Sequence, residues 1–192
     1  MSLNIAVIYG SVRSNRQGIK GARFIVNKCK ERNWNVTLID VKEFSHPFLD
    51  KLHKDFPEGE APEVMQKVSK ILKAADAFII VSGEYNHSVP PALTNLIDHY
   101  QSEYFFKTSA IACYSSGTLG GVRAGIHLRA FLSELGMPSI PTMFVMSKVG
   151  SSFDEEGKAI DEAYEKRIKK FLDELNWYAS ALKEARKNGT PY

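Results

Sequence analysis

Three stretches of this chain combine glycines with hydroxyl, amide and cationic side chains. The first is Gly10-Ser11-Val12-Arg13-Ser14-Asn15-Arg16-Gln17-Gly18, directly before a helical pattern. A helix start offers free N–H groups and the positive end of the helix dipole, which together make an anion site. Arg13 or Arg16 would add charge-assisted bonds to a phosphate. The plainer reading is a helix cap with two solvated arginines. Both known glycine-rich phosphate loops fail here. GxGxxG needs glycine at positions 12 and 15, which are Val12 and Asn15. GxxxxGK[ST] fails at Asn15, and no Lys-Ser/Thr pair follows in frame. A phosphate site is supported and ATP is not. Asp40 could imitate a ribose-binding acid but reads better as a strand-end or turn carboxylate.

The second stretch is Ser82-Gly83-Glu84-Tyr85-Asn86-His87-Ser88-Val89-Pro90-Pro91. The prolines suit the first turn of a helix, with Ser88 upstream as a cap. The polar, aromatic residues before them could read the edge of a flat heteroaromatic ring through backbone groups. His87 as a lone general base is weaker than His87 as a loop residue near a ligand or a subunit contact. The third stretch is Ser115-Ser116-Gly117-Thr118-Leu119-Gly120-Gly121-Val122-Arg123, whose glycines allow a ligand close to the backbone. A nucleophilic serine is not supported. The Gly-x-Ser-x-Gly elbow fails at Cys113 or Tyr114, and no acid-then-histidine order follows.

The elements that must position these stretches are legible from hydrophobic runs. Ile5–Tyr9, Val36–Val41, Ala77–Ser82, Ser109–Tyr114 and Ile140–Met146 are nearly continuous in apolar residues. That is how strands covered on both faces read. Helical stripes lie between them: Ile19, Ala22, Val26, Cys29; then Val64, Val68, Ile71, Leu72, Ala75; then Leu93, Leu96, Ile97, Tyr100. Leu128, Phe131, Leu132 and Leu135 form a fourth, with Gly136 as its C′ residue. A terminal stripe runs from Tyr164 through Ile168, Phe171, Leu175 and Tyr178 to Leu182. The alternation predicts a three-layer α/β/α fold with a five-stranded parallel sheet in the flavodoxin-like order 2-1-3-4-5, as one domain over residues 1–192. In that order ligands bind outside the carboxyl ends of the strands, between the first and third. The three unusual stretches follow strands one, three and four. Ser45–Pro62 and Ser147–Asp161 read as long loops.

Bulk properties narrow the partners. Basic and acidic residues nearly balance, 25 against 22, and are interspersed, so neither nucleic acid nor a membrane is expected. No apolar run is long enough to cross a bilayer, and no signal peptide is evident. Cys29 and Cys113 have no metal-ligand spacing and fit no CxxxxxR phosphatase loop. They read as buried small apolar residues, and a reducing cytoplasm is expected.

The three stretches, in this order and placement, resemble the NADPH-dependent FMN reductase family, which includes quinone, azo-dye and chromate reductases. The resemblance rests on Gly10-Ser11-Val12-Arg13, on Glu84-Tyr85-Asn86-His87-Ser88-Val89-Pro90 with Ala92-Leu93 and Asn95-xx-Asp98, and on Ser116-Gly117-xx-Gly120-Gly121-xx-Ala124. Phe153-Asp154-Glu155-Glu156-Gly157 looks like the family's tail. The resemblance implies FMN as cofactor and NADPH or NADH as co-substrate, with electrons passing to a small acceptor such as a flavin, quinone, azo compound or metal oxyanion. It implies that Ser11, Arg13, Arg16, Gln17 and Gly18 hold the phosphate. Glu84, Tyr85, Asn86 and His87 would border the flavin ring, with Ser115, Ser116, Gly117 and Gly120 on its other side. No catalytic side chain and no metal ligand is implied. Three positions depart from the family pattern: Gly83 and Pro91 stand where proline and glycine are usual, and Thr94 where lysine is. A homodimer or homotetramer is implied. The stretch Asp98–Phe106 reads either as its interface or as core. Arg123 serves either an NADPH phosphate or a solvated helix face. The rival reading is a flavodoxin-type electron carrier, against which the net charge of +3 weighs.

Overall fold

The computed structural model describes residues 2–192. Its elements run β1 (Asn4–Tyr9), α1 (Gly18–Lys30), β2 (Asn35–Asp40), α2 (Glu63–Ala74), β3 (Ala77–Ser82), α3 (Pro91–Asp98), β4 (Thr108–Tyr114), α4 (Val122–Glu134), β5 (Ser139–Met146), α5 (Val149–Ser152) and α6 (Ala163–Arg186). The strands form one parallel sheet in the order β2-β1-β3-β4-β5. This is the expected flavodoxin-like topology.

Strand side chains alternate between faces, and helices cover both. Val7, Tyr9, Ile79, Val81, Ala110 and Ala112 pack under α1 and α6, against Phe24, Ile25, Phe171 and Leu175. Ala6, Ile8, Phe78, Ile80 and Ile111 pack against Val68, Leu72, Leu93, Leu96 and Leu128 on the other face. Every residue of β3 is buried, which accounts for its unbroken apolar run. The reading of β2 as covered on both faces needs correction. It is an edge strand, and only Ile39 and Asp40 are buried within it.

The long loops also hold structure. Ser45–Pro62 contains a short 3-10 turn at His53–Asp55, and Ser147–Asp161 contains α5. Asn95 on α3 clasps the first loop, accepting from Leu49 N at 3.0 Å and donating to Pro47 O at 2.8 Å. His46 extends that attachment through Tyr100, 2.6 Å away. Tyr100 and Tyr104 are fully buried and belong to the core on this face. Phe105 and Phe106 are half-buried and pack against Tyr192. Gly136 takes the left-handed conformation expected of a C′ residue, with φ +71°.

Candidate functional site

β1, β3 and β4 end together, and the loops that leave them enclose a cavity of about 320 Å³. From the first loop it is lined by Ser11, Arg13, Asn15, Arg16, Gln17 and Gly18. Gly83, Glu84 and Tyr85 contribute from the loop after β3, and Tyr114, Ser115 and Ser116 from the end of β4. Val149 of α5 completes the wall. Clefts of similar size lie elsewhere, one of about 330 Å³ against Asn4, Asn35 and Ile71. Size does not single out this cavity; its donors do.

α1 begins at Gly18 with no side-chain cap and no acidic residue in its first turn. Its leading N–H groups thus meet the cavity with the dipole's positive end uncompensated. Arg13 is exposed beside them. Arg16 is engaged elsewhere. Its Nη1 donates to the Ser11 carbonyl at 3.0 Å and pairs with the Asp40 carboxylate. Its guanidinium also lies over the Tyr9 ring, 5.4 Å from the centroid. Burial opposes the charge on Arg16, but Asp40 outweighs it and lifts the group above its ordinary value. Asp40 also accepts from Lys42 N at 3.0 Å, the turn role expected for it.

The loop after β3 folds into a tight hairpin. Tyr85 and Ser88 exchange backbone hydrogen bonds at 3.0 and 2.9 Å. Asn86 and His87 both take positive φ, +50° and +64°, as a two-residue type I′ turn requires. Both are exposed at the hairpin tip and neither lines the cavity. The Glu84 carboxylate caps α4, accepting from Arg123 N at 3.1 Å, while the Arg123 guanidinium lies 3.5 Å away. Arg123 therefore has a partner that neither sequence reading supplied.

The loop after β4 is tied down by backbone bonds: Val149 N donates to Ser115 O at 3.1 Å and Lys148 N to Gly117 O at 3.0 Å. A Cβ on Gly117 would meet only the Ser115 hydroxyl, at 3.9 Å. Gly117 is thus free of protein contact where a ring could approach. Gly120 is different. Its φ is +61° and its Cβ would lie 2.4 Å from Val145, so backbone geometry and packing against β5 require glycine there. Neither Gly117 nor Gly120 is among the residues lining the cavity. Gly18 likewise meets packing first, since its Cβ would fall 2.2 Å from the Tyr114 ring.

Gly83, Tyr114 and Val149 line the cavity without having been foreseen as site residues, and Asn15 was read only as part of the first loop. Only Gly83 carried a signal, as a departure from the family pattern.

The NADPH-dependent FMN reductase family model matches residues 3–151. The chain belongs to this family. A quinone reductase of Pseudomonas putida is 28% identical over 167 residues, 83% of this chain and 86% of that protein. A 2-hydroxy-1,4-benzoquinone reductase of a Burkholderia species is 27% identical over 197 residues, 97% of this chain and 100% of its own. Among solved structures, the flavoenzyme NAD(P)H:acceptor oxidoreductase FerB of Paracoccus denitrificans superposes with a TM-score of 0.72. It is 19% identical, and the match covers 95% of this chain and 98% of that one. The expected activity class stands: an NAD(P)H-dependent oxidoreductase of a family that uses FMN. The cavity's chemistry fits that cofactor. An uncapped helix start and Arg13, which has no side-chain partner among the described residues, suit a phosphate, and Ser115 and Ser116 on the cavity wall lead into an open-faced glycine, Gly117, beside it. Among the described residues, no helix is long and apolar enough to cross a membrane.

Proposed function

We propose that this chain binds FMN in the cavity at the ends of β1, β3 and β4 and passes electrons from NAD(P)H to a quinone-class acceptor. The observation that carries this reading is the convergence of an uncapped helix start, Arg13 and the Gly117 loop on one sheet edge. That edge is the switch point of the strand order, where open α/β sheets bind ligands. Both named bacterial relatives are quinone reductases, which favours a quinone among the small acceptors.

FMN when bound supplies hydride acceptance from the nicotinamide and donation to the acceptor. The protein's part is to bind and orient. Arg13 and the first N–H groups of α1 hold the phosphate, with Ser11 and Gln17 beside them. Arg16 braces the loop instead of adding a second cation. Backbone groups of Gly83, Glu84 and Tyr85, the part of this loop that lines the cavity, border one edge of the ring, while Asn86 and His87 stay at the hairpin tip. Backbone N–H groups at Ser116 and Gly117 would stabilise negative charge on the reduced cofactor. No side chain is needed as a proton-transfer catalyst.

The two cysteines are free and buried, and burial pushes each thiol up to about 12, so neither is a nucleophile. That suits a reducing cytoplasm. A homodimer or homotetramer completes the reading, with residues 1–192 acting as one domain.

Purified protein tests this directly. It should show the visible bands of bound flavin, release FMN on denaturation, and oxidise NADPH over many turnovers when given a quinone. A protein that loads FMN but does not turn over would be an electron carrier. A colourless protein that refuses FMN would sink the cofactor assignment.

A further inference from the structure

Tyr114 ends β4, level with the residue after Ser82, because Ser82 pairs with Cys113 in the sheet register. β3 lies between β4 and β1. The Tyr114 side chain crosses the end of β3 and brings its hydroxyl to 3.5 Å from that of Tyr9 on β1. Two glycines make room for the ring. A Cβ at Gly83 would sit 3.2 Å from Cζ and the hydroxyl of Tyr114, and one at Gly18 only 2.2 Å from Cζ. The phenol is therefore wedged between the first loop and the hairpin loop, across the cavity floor.

Its hydroxyl makes a long hydrogen bond to Tyr9. A hydroxyl pair normally sits about 2.7–2.8 Å apart, so 3.5 Å to Tyr9 is a long contact. Ser11 adjoins both phenols, which gathers three hydroxyls beneath the uncapped start of α1. Tyr9 is fully buried, whereas Tyr114 keeps part of its surface on the cavity. Burial raises both phenols above their ordinary value, so each stays protonated and can donate.

We propose that Tyr114 is a further cofactor-contacting residue, donating from the cavity floor to the phosphate of the bound flavin nucleotide, and that Gly83 is the companion that lets its ring cross β3. The proposal rests on the FMN reading above. It explains why glycine stands at position 83. Its reach toward phosphate follows from the hydroxyl's neighbours, Tyr9 at the end of β1 and Ser11 in the first loop that leaves it.

The experiment is a titration of apoprotein with FMN and with riboflavin, which lacks the phosphate. Tyr114→Phe keeps the ring that packs on Gly18 and Gly83 and removes only the hydroxyl. FMN affinity should fall about tenfold, the size of one charge-assisted bond, while riboflavin affinity stays unchanged. No loss, or equal loss for both flavins, would overturn the assignment. Gly83→Ala supplies a second arm: it should weaken FMN in the Tyr114 protein and have no further effect in Tyr114→Ala. Equal effects in both backgrounds would also overturn it. Wild-type protein that takes up neither flavin would instead fail the FMN reading, and this proposal with it.

Discussion

Arg16 reaches across the sheet to Asp40 and, with the same Nη1, holds the carbonyl of Ser11. Tyr9 and Asp40 are register partners on β1 and β2, so the loop that leaves β1 begins beside this carboxylate. The ion pair works as a strap between the anion loop and β2. Among the described residues, it leaves Arg13 as the loop's cavity-lining cation with no side-chain partner.

Removing Asp40 should therefore cost stability. Asp40 is 2% exposed, and Asp40→Ala leaves Arg16 without its partner. Breaking a buried pair by removing one member costs about 3–5 kcal/mol, and the partial exposure of Arg16 puts this case near the lower end. Urea unfolding at neutral pH checks it. A midpoint within error of wild type would mean that the strap is not a stabilising element.

Arg13→Ala should do the reverse. Arg13 is exposed, so stability should change by less than about 0.5 kcal/mol. FMN affinity should fall by about 1.5–3 kcal/mol, the worth of a charge-assisted contact, or roughly 10- to 100-fold. Fluorescence titration of the apoprotein measures it. Unchanged affinity would assign the phosphate to another part of the cavity.

The sequence made the scaffold legible because a parallel sheet is buried on both faces. Ala77–Ser82 reads as an apolar run from end to end and is a strand from end to end. β2 was misjudged because apolar content does not say whether a strand lies at an edge. The first loop was legible as an anion site from its residue types and its place before a helix. Which arginine stays free was not legible. That choice depends on Asp40, 24 residues further along the chain and adjacent only through strand pairing. Tyr114 was hidden for a similar reason. A tyrosine at a strand end reads as core until the crossing over β3 and the missing side chain at Gly83 are seen together.

Two glycines of the site should answer differently to substitution. At Gly18 a side chain collides with the Tyr114 ring, so Gly18→Ala should cost about 1–3 kcal/mol of stability, as overpacking does. At Gly117 a side chain meets only the Ser115 hydroxyl, at ordinary contact distance. Gly117→Val should fold with near wild-type thermal stability yet load little FMN, because the valine occupies the face the ring approaches. Thermal melts and flavin content of both variants decide the matter. A Gly117→Val protein with full flavin would move the ring away from this loop.

His46, in the loop that follows β2, sets a pH dependence. Burial lowers its pKa from 6.5; the Phe44 carbonyl partly opposes this and the nearby His99 adds to it. The imidazole is held between the Phe44 carbonyl at 2.8 Å and the Tyr100 hydroxyl at 2.6 Å, and its ring centroid lies 4.9 Å from that of His99. Between the lowered folded value and 6.5, the unfolded chain binds more protons than the folded one. Stability therefore rises with pH through that window and is lost as pH falls below about 6.5. Denaturant midpoints from pH 5 to pH 8 should show this slope, and His46→Gln should flatten it. Because His46 anchors the 45–62 loop through Tyr100, amide exchange in that loop should quicken at pH 5 before exchange in β3 does. Simultaneous loss of protection in the loop and in β3 would show that His46 acts on global unfolding and not on the loop's attachment.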